Sequence, residues 1–194
     1  MSMSKTSLSD FQRRKLLHKF KLLDIDKNGL IEFEDFQRVI DALAEKRGWG
    51  IGDLNFERLS ASNQNLWTAI HEFCEVGEEG AVTVEQWMQF HAQALHQAKE
   101  FDQLIPGFET TLAAFTAFVT ELLDSDGDGL IVFEDYLALA CAYNIEEAQA
   151  RLTFSAIDKN ADGVLSLEEV SSLVRQFYLS EDEKAPGNEL FGKF

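Results

Sequence analysis

A pattern of twelve residues, written three times along the chain, limits its fold more than any other feature. It begins with Asp, carries acids or amides at its third and fifth places, has Gly at the sixth and an aliphatic residue at the eighth, and ends in an acid. It reads DIDKNGLIEFED at 24–35, DSDGDGLIVFED at 124–135 and DKNADGVLSLEE at 158–169. A weaker copy, EVGEEGAVTVEQ, lies at 75–86. Each copy sits between apolar residues at helical spacing. Leu16, Phe20 and Leu23 precede the first, and Phe36, Val39, Ile40 and Leu43 follow it. Around the weak copy stand Trp67, Ile70 and Cys74, then Trp87 and Phe90. The next has Phe115, Val119, Leu122 and Leu123, then Tyr136, Leu139 and Tyr143; the last has Phe154 and Ile157, then Val170, Leu173, Val174 and Phe177. The unit is helix–loop–helix, four times over, so the predicted fold class is all-α. First and second units pair, as do third and fourth, and the two pairs form one compact body.

These loops carry the donors that a hard cation requires. Ca²⁺ takes six to eight oxygens at about 2.3–2.6 Å, and a twelve-residue loop supplies them from positions 1, 3, 5, 7, 9 and 12. Gly at position 6 turns the chain without strain, position 7 offers its carbonyl, and position 8 bridges to the partner loop. The first loop offers Asp24, Asp26, Asn28, the Leu30 carbonyl, Glu32 and Asp35. The third offers Asp124, Asp126, Asp128, the Leu130 carbonyl and Asp135; Val132 has no oxygen at position 9, so water fills that vertex. The fourth offers Asp158, Asn160, Asp162, the Val164 carbonyl, Ser166 and Glu169. About three Ca²⁺ ions are therefore expected.

The second loop keeps Gly80 and Val82 but has Glu75 at position 1, Gly77 at position 3 and Gln86 at position 12. It is expected to pair without holding metal. Two of the other loops close with Asp. A closing Glu binds through both oxygens; Asp is a methylene shorter and binds through one. The lower coordination number is nearer to what Mg²⁺ demands, so Mg²⁺ competes at the loops closed by Asp35 and Asp135. Glu169 closes the conventional Ca²⁺ site.

Charge and composition agree with a cation binder. The chain of 194 residues has a formal net charge of −17, which repels nucleic acid and anionic membranes. No apolar run is long enough to span a membrane, and the start, MSMSKTSLSD, lacks the apolar core of a secretory signal. Cys74 and Cys141 make no disulfide framework and are read as reduced core residues. A cytoplasmic monomer is expected. His71 and Cys74 are three apart but supply only two ligands, too few for zinc. No nucleophile–base constellation or phosphate-cradling loop occurs, so no enzyme is expected. The basic stretch LAEKRGWG at 43–50 is read as a solvated helix end. The expected organisation is an N-terminal pair at 1–100, a linker at 101–109 marked by Pro106 and Gly107, a C-terminal pair at 110–180, and a tail at 181–194. Leu190, Phe191 and Phe194 in that tail are expected to dock on the body, because exposure would forfeit their burial energy.

Four units in such a chain, a silent second loop, a long connector within the first pair and a tail reading Pro-Gly-Asn then Phe-Gly resemble the sarcoplasmic calcium-binding proteins, with calerythrin and calexcitin similar. The resemblance covers nearly the whole chain and identifies the loops as EF-hands. It implies a shared Phe-rich core and cytosolic Ca²⁺ buffering or signal modulation. Hydrozoan photoproteins and coelenterazine-binding proteins share the layout. The photoprotein His and Trp of the last helix are Val174 and Tyr178 here, so light emission is not implied. Three functions stay open: a buffer or modulator, a sensor that exposes an apolar groove to a partner protein, and a small-ligand carrier. Sensors use Met-rich grooves, and Met88 is the one Met outside the first three residues, which favours the buffer.

Overall fold

The computed structural model describes residues 8–73, 80–101, 106–124 and 126–192. In chain order these form α1 (Asp10–Leu23), β1 (Leu30–Ile31), α2 (Phe33–Arg47), α3 (Leu54–Phe73), β2 (Val82–Thr83), α4 (Val84–Phe101), α5 (Pro106–Leu123), β3 (Leu130–Val132), α6 (Phe133–Ala142), α7 (Glu147–Ile157), β4 (Val164–Ser166), α8 (Leu167–Leu179) and a 3₁₀ turn (Pro186–Glu189). The helices start where the sequence offers caps. Ser9 and Gln12 form a reciprocal capping box at α1, and Ser166 with Glu169 forms another at α8. α2 ends at Gly48, in the left-handed conformation, with the Gly48 and Trp49 N–H groups returned to the last turn. The linker expected at 101–109 is helical at both described ends: α4 runs through Phe101 and Pro106 opens α5.

The units pair as four helix–loop–helix hands. β1 and β2 are antiparallel, with Leu30 opposite Thr83 and Ile31 opposite Val82. β3 and β4 pair likewise, with Ile131 opposite Leu165 at the centre. The four position-8 residues thus meet two by two, each at most 1% exposed. The pairs then pack on each other, α3 along α5 and α2 against α6. Phe36 meets Phe118 edge-on at 5.8 Å, and His91 of α4 stacks on Tyr178 of α8 at 5.4 Å. The apolar stripes are buried as predicted, except that Trp67 is half-buried. Cys141 is exposed, not a core residue; Cys74 lies outside the described residues. α6 places Tyr136, Ala138, Leu139 and Ala140 inward, and Cys141 falls on the opposite side of that turn.

The tail is held from several sides. Leu190 and Phe191 are buried, while Phe194 lies outside the described residues. Gly187 rests so tightly on α8 that a Cβ there would overlap the Leu173 carbonyl. Lys15 of α1 donates to the Ser180 carbonyl at 2.8 Å and to Asn188 Oδ1 at 3.1 Å. Lys19 is fully buried, its Nζ 3.6 Å from the Phe191 ring centre, with Phe115 and Tyr143 also facing it. That amine has no hydrogen-bond partner among the described residues. A desolvated cation–π contact is worth about 2 kcal/mol, whereas desolvating the charge costs several. Burial therefore wins and lowers the Lys19 pKa well below its ordinary value.

Candidate metal centre

Loops 1, 3 and 4 each begin at the residue that ends one helix and close on the first turn of the next. The geometry between is set by short side-chain-to-backbone turns. In loop 1, Asp24 accepts from the Asn28 and Gly29 N–H groups, each at 3.0 Å, and Asn28 Oδ1 accepts from Leu30 N–H at 2.8 Å. In loop 3, Asp124 accepts from Gly127 N–H at 3.0 Å and Asp128 from Leu130 N–H at 2.8 Å. In loop 4, Asp158 Oδ2 accepts from Gly163 N–H and Asp162 Oδ1 from Val164 N–H, both at 3.0 Å. In loop 1 both Asp24 oxygens are used to shape the turn, whereas Asp124 in loop 3 gives Oδ1 and Asp158 in loop 4 gives Oδ2. Gly29, Gly129 and Gly163 at position 6 have φ between 81° and 86°. Position 4 is also left-handed, through Lys27 (62°), Gly127 (74°) and Ala161 (56°). The sequence reasoning did not anticipate this second turn, which costs strain wherever the residue has a Cβ.

The closing residues do two jobs. Asp35 Oδ2 accepts from Glu32 N–H at 2.9 Å, Asp135 Oδ2 from Val132 N–H at 3.3 Å, and Glu169 Oε2 from Ser166 N–H at 2.9 Å. Each thus caps the helix that it opens, with its carboxylate turned toward the loop. Asp35 is 1% exposed, and burial raises its pKa against the backbone N–H bonds that lower it. At position 9, Glu32 accepts from the Asn28 amide at 2.7 Å, while Val132 is exposed and Ser166 is occupied in its capping box.

Loop 1 gathers carboxylate oxygens of Asp24, Asp26 and Asp35 within 4.8 Å of one another, and loop 3 gathers those of Asp124, Asp126 and Asp128. The three carboxylates of loop 4 are not gathered as closely. There, however, Asp158 Oδ1 is buried with no hydrogen-bond partner among the described residues. A buried carboxylate oxygen is costly in that condition, and a cation relieves it. Donors of hard oxygen, an orphaned buried oxygen and tight left-handed turns together fit Ca²⁺ or Mg²⁺. The predicted carbonyl donors Leu30, Leu130 and Val164 stand at position 7 of the three loops, each the first residue of a short strand.

In the second loop, the described part retains the closing geometry without the charge. Gln86 Oε1 accepts from Thr83 N–H and Oγ1–H, each at 2.9 Å, and Gln86 N–H donates to Thr83 Oγ1. Glu75 and Gly77 lie outside the described residues.

Two arginines join the site that the sequence reasoning passed over. Arg38, one turn after Asp35, bonds Asp35 Oδ1 at 3.1 Å and Asp26 at 2.9 Å; the three-residue spacing on a helix could have suggested it. Arg47 belongs to the basic stretch read as solvated, and that reading is corrected here. Its side chain is 12% exposed and reaches Asp135 at 3.5 Å and the Leu122 carbonyl at 3.3 Å. Gly48 and Trp49 turn the chain back at this point and hold the arginine against the other half. No local pattern announces a contact across so many residues.

Comparison with known proteins agrees with this geometry. The EF-hand family model matches residues 17–40 and 150–174. The chain is 32% identical to a sarcoplasmic calcium-binding protein of Scylla paramamosain over 182 residues, covering 88% of this chain and 89% of that one. It is 27% identical to calerythrin of Saccharopolyspora erythraea, covering 84% and 90%. Among solved structures it is similar to an amphioxus sarcoplasmic calcium-binding protein (TM-score 0.68, 20% identity, 97% and 100% covered). It is also similar to the coelenterazine-binding protein of Renilla muelleri (TM-score 0.71, 17% identity, 96% and 100% covered). These last two likenesses are of fold.

Proposed function

The chain belongs to the sarcoplasmic calcium-binding protein family of EF-hand proteins, and on that premise we propose that it is a cytosolic Ca²⁺ buffer or signal modulator, monomeric and without catalytic activity, that holds three ions. Loops 24–35, 124–135 and 158–169 hold one each. Asp24, Asp26, Asn28, Leu30 and Asp35 serve the first; Asp124, Asp126, Asp128, Leu130 and Asp135 the third; Asp158, Asn160, Asp162, Val164 and Glu169 the fourth. Mg²⁺ competes at the two loops closed by Asp. The observation that carries the buffer reading is the packing of the two pairs on each other. The helix faces that a sensor would open to a partner are spent here on the seam, with α3 along α5 and Phe36 on Phe118. A buffer fills without such opening.

The carrier reading has one observation in its favour, an apolar cavity lined by Trp87, Phe90, His91, Phe108, Phe115 and Tyr178. Its volume is about 20 Å³, room for a single water, so a carrier would have to expand it.

The test is calorimetric titration of the metal-free protein with Ca²⁺, with and without millimolar Mg²⁺, while an apolar dye is followed. Three ions, Mg²⁺ competition at two of them and a flat dye signal are expected. A large dye signal at three ions would replace the buffer with a sensor, and fewer than two ions would overturn the assignment of the loops.

A further inference from the structure

The two loops that close with Asp share a feature that, among the described residues, the loop closing with Glu lacks. In each, an arginine sits on the closing carboxylate: Arg38 on Asp35 and Arg47 on Asp135. Among the described residues, Glu169 is held instead by Ser166. Arg38 comes from the same hand as its loop. Arg47 does not, since it is the last residue of α2, in the first pair, and it grips the third loop in the second pair. It takes the Leu122 carbonyl just before the loop and the Asp135 carboxylate at its end. Its guanidinium also lies 5.0 Å from the Trp49 ring centre. Asp135 and Arg47 are 15% and 12% exposed, so water screens the pair less than it screens a surface pair.

We propose that Arg47 is a resident counter-cation of the third loop, which gives up Asp135 when a divalent cation binds there and so registers the filling of that loop in the first pair. The proposal rests on the reading of 124–135 as a cation loop. The physical reason is charge. A dication brought to Asp135 meets the guanidinium at close range and is repelled by it, so the two compete for one carboxylate. Once the ion has Asp135, the arginine loses that tie, and its environment against Trp49 changes. By linkage, whatever holds Arg47 on Asp135 weakens cation binding by the same factor.

The experiment uses the full chain labelled with ¹⁵N-tryptophan, in which Trp49, Trp67 and Trp87 give three indole signals, Trp49 being assigned by its loss in Trp49→Phe. Ca²⁺ is titrated with calorimetry in parallel. Loop 3 is defined as the ion lost in Asp124→Ala; if that variant loses none, the loop assignment falls and the proposal with it. In the unmodified chain the Trp49 signal is expected to shift as loop 3 fills, and not in Asp124→Ala. Arg47→Gln is expected to tighten loop 3 by about tenfold or more, the effect of one nearby, partly screened charge on a dication, and to abolish the Trp49 shift. Arg47→Lys keeps the charge without the fork, and is expected to retain weak binding while altering the Trp49 signal in the metal-free protein. Arg38→Gln is expected to tighten loop 1 by a similar factor with the Trp49 shift intact. Loop-3 affinity in Arg47→Gln that is unchanged or lower, or a Trp49 shift that persists, would overturn the proposal. Circular dichroism of each variant guards against misfolding, with Arg47→Lys serving if Arg47→Gln does not fold.

Discussion

Loops 2 and 4 occupy equivalent places, each the second member of its pair, and they part company in one respect. In both, a short ladder joins the loop to its partner through a buried aliphatic residue, Val82 or Leu165. In both, the closing residue caps the following helix through a hydroxyl residue three places earlier: Gln86 with Thr83, Glu169 with Ser166. Loop 4 closes with the acid Glu169, whereas loop 2 closes with the uncharged Gln86. The closing position therefore has a structural role, met by an amide as well as by a carboxylate, and on the proposed function a ligand role that needs the charge. A hand can lose the second while keeping the first, because pairing rests on apolar burial rather than on metal.

Separating the two roles gives the largest expected effect. Glu169→Gln should keep the α8 capping box and abolish strong Ca²⁺ binding at loop 4. Removing one charged partner costs about 2–5 kcal/mol, roughly thirtyfold or more in affinity. Calorimetry should show two ions in place of three, while the metal-free melting temperature stays near that of the parent. A second test moves from the loops to the seam between pairs. His91 is 2% exposed, its Nδ1 within 2.7 Å of the Trp87 carbonyl, and burial lowers its pKa from 6.5 to about 4. As pH falls from 6.5, the unfolded chain takes up a proton at this residue that the folded chain refuses until about 4. Stability is full above that window and declines across it, by about 3 kcal/mol from this group. Urea unfolding of the parent and His91→Leu between these limits should show the variant losing less on acidification, although its stability at neutral pH is lower.

Smaller effects probe the turns. Ala161 takes a left-handed conformation at a place where loop 3 has Gly127, so Ala161→Gly should stabilise the metal-free protein by about 0.5–1 kcal/mol, read by thermal melting. Smallest of all, Gln86→Glu should add no fourth ion to a titration, because Gly77 brings no side-chain oxygen, and should change stability by less than about 0.5 kcal/mol.

How far such features can be read in the sequence depends on their range. The loops, their paired position-8 residues and the inward helix faces follow from spacing within a dozen residues, and the helices carry them as the periodicity requires. Trp67 departs from its stripe because its ring lies at the edge of the seam, edge-on against half-buried Phe33 and tilted on buried Phe36. Cys141 departs because it falls on the outward side of α6, between buried Ala140 and buried Tyr143. Within the site, the gathering of acids in loops 1 and 3 was legible, whereas the arginines were not equally so. Arg38 is a neighbour on the same helix, but Arg47 and Asp135 are brought together only when α2 packs against α6. Lys15 and Lys19 were hidden for the same reason. A basic residue on an apolar helix face reads as an interruption until the tail that covers it is in view.

That covering has a consequence in protons. In the unfolded chain, Lys19 is an ordinary ammonium; in the folded one, burial beneath Phe191 drives it toward the neutral amine. Lys15, which holds Ser180 and Asn188, moves the same way, to about 8. Seating the tail therefore releases protons to solvent, and the enthalpy of folding measured in two buffers of different ionisation heat should differ in proportion. The same linkage makes the clasp firmer as pH rises toward the ordinary lysine range and looser as it falls.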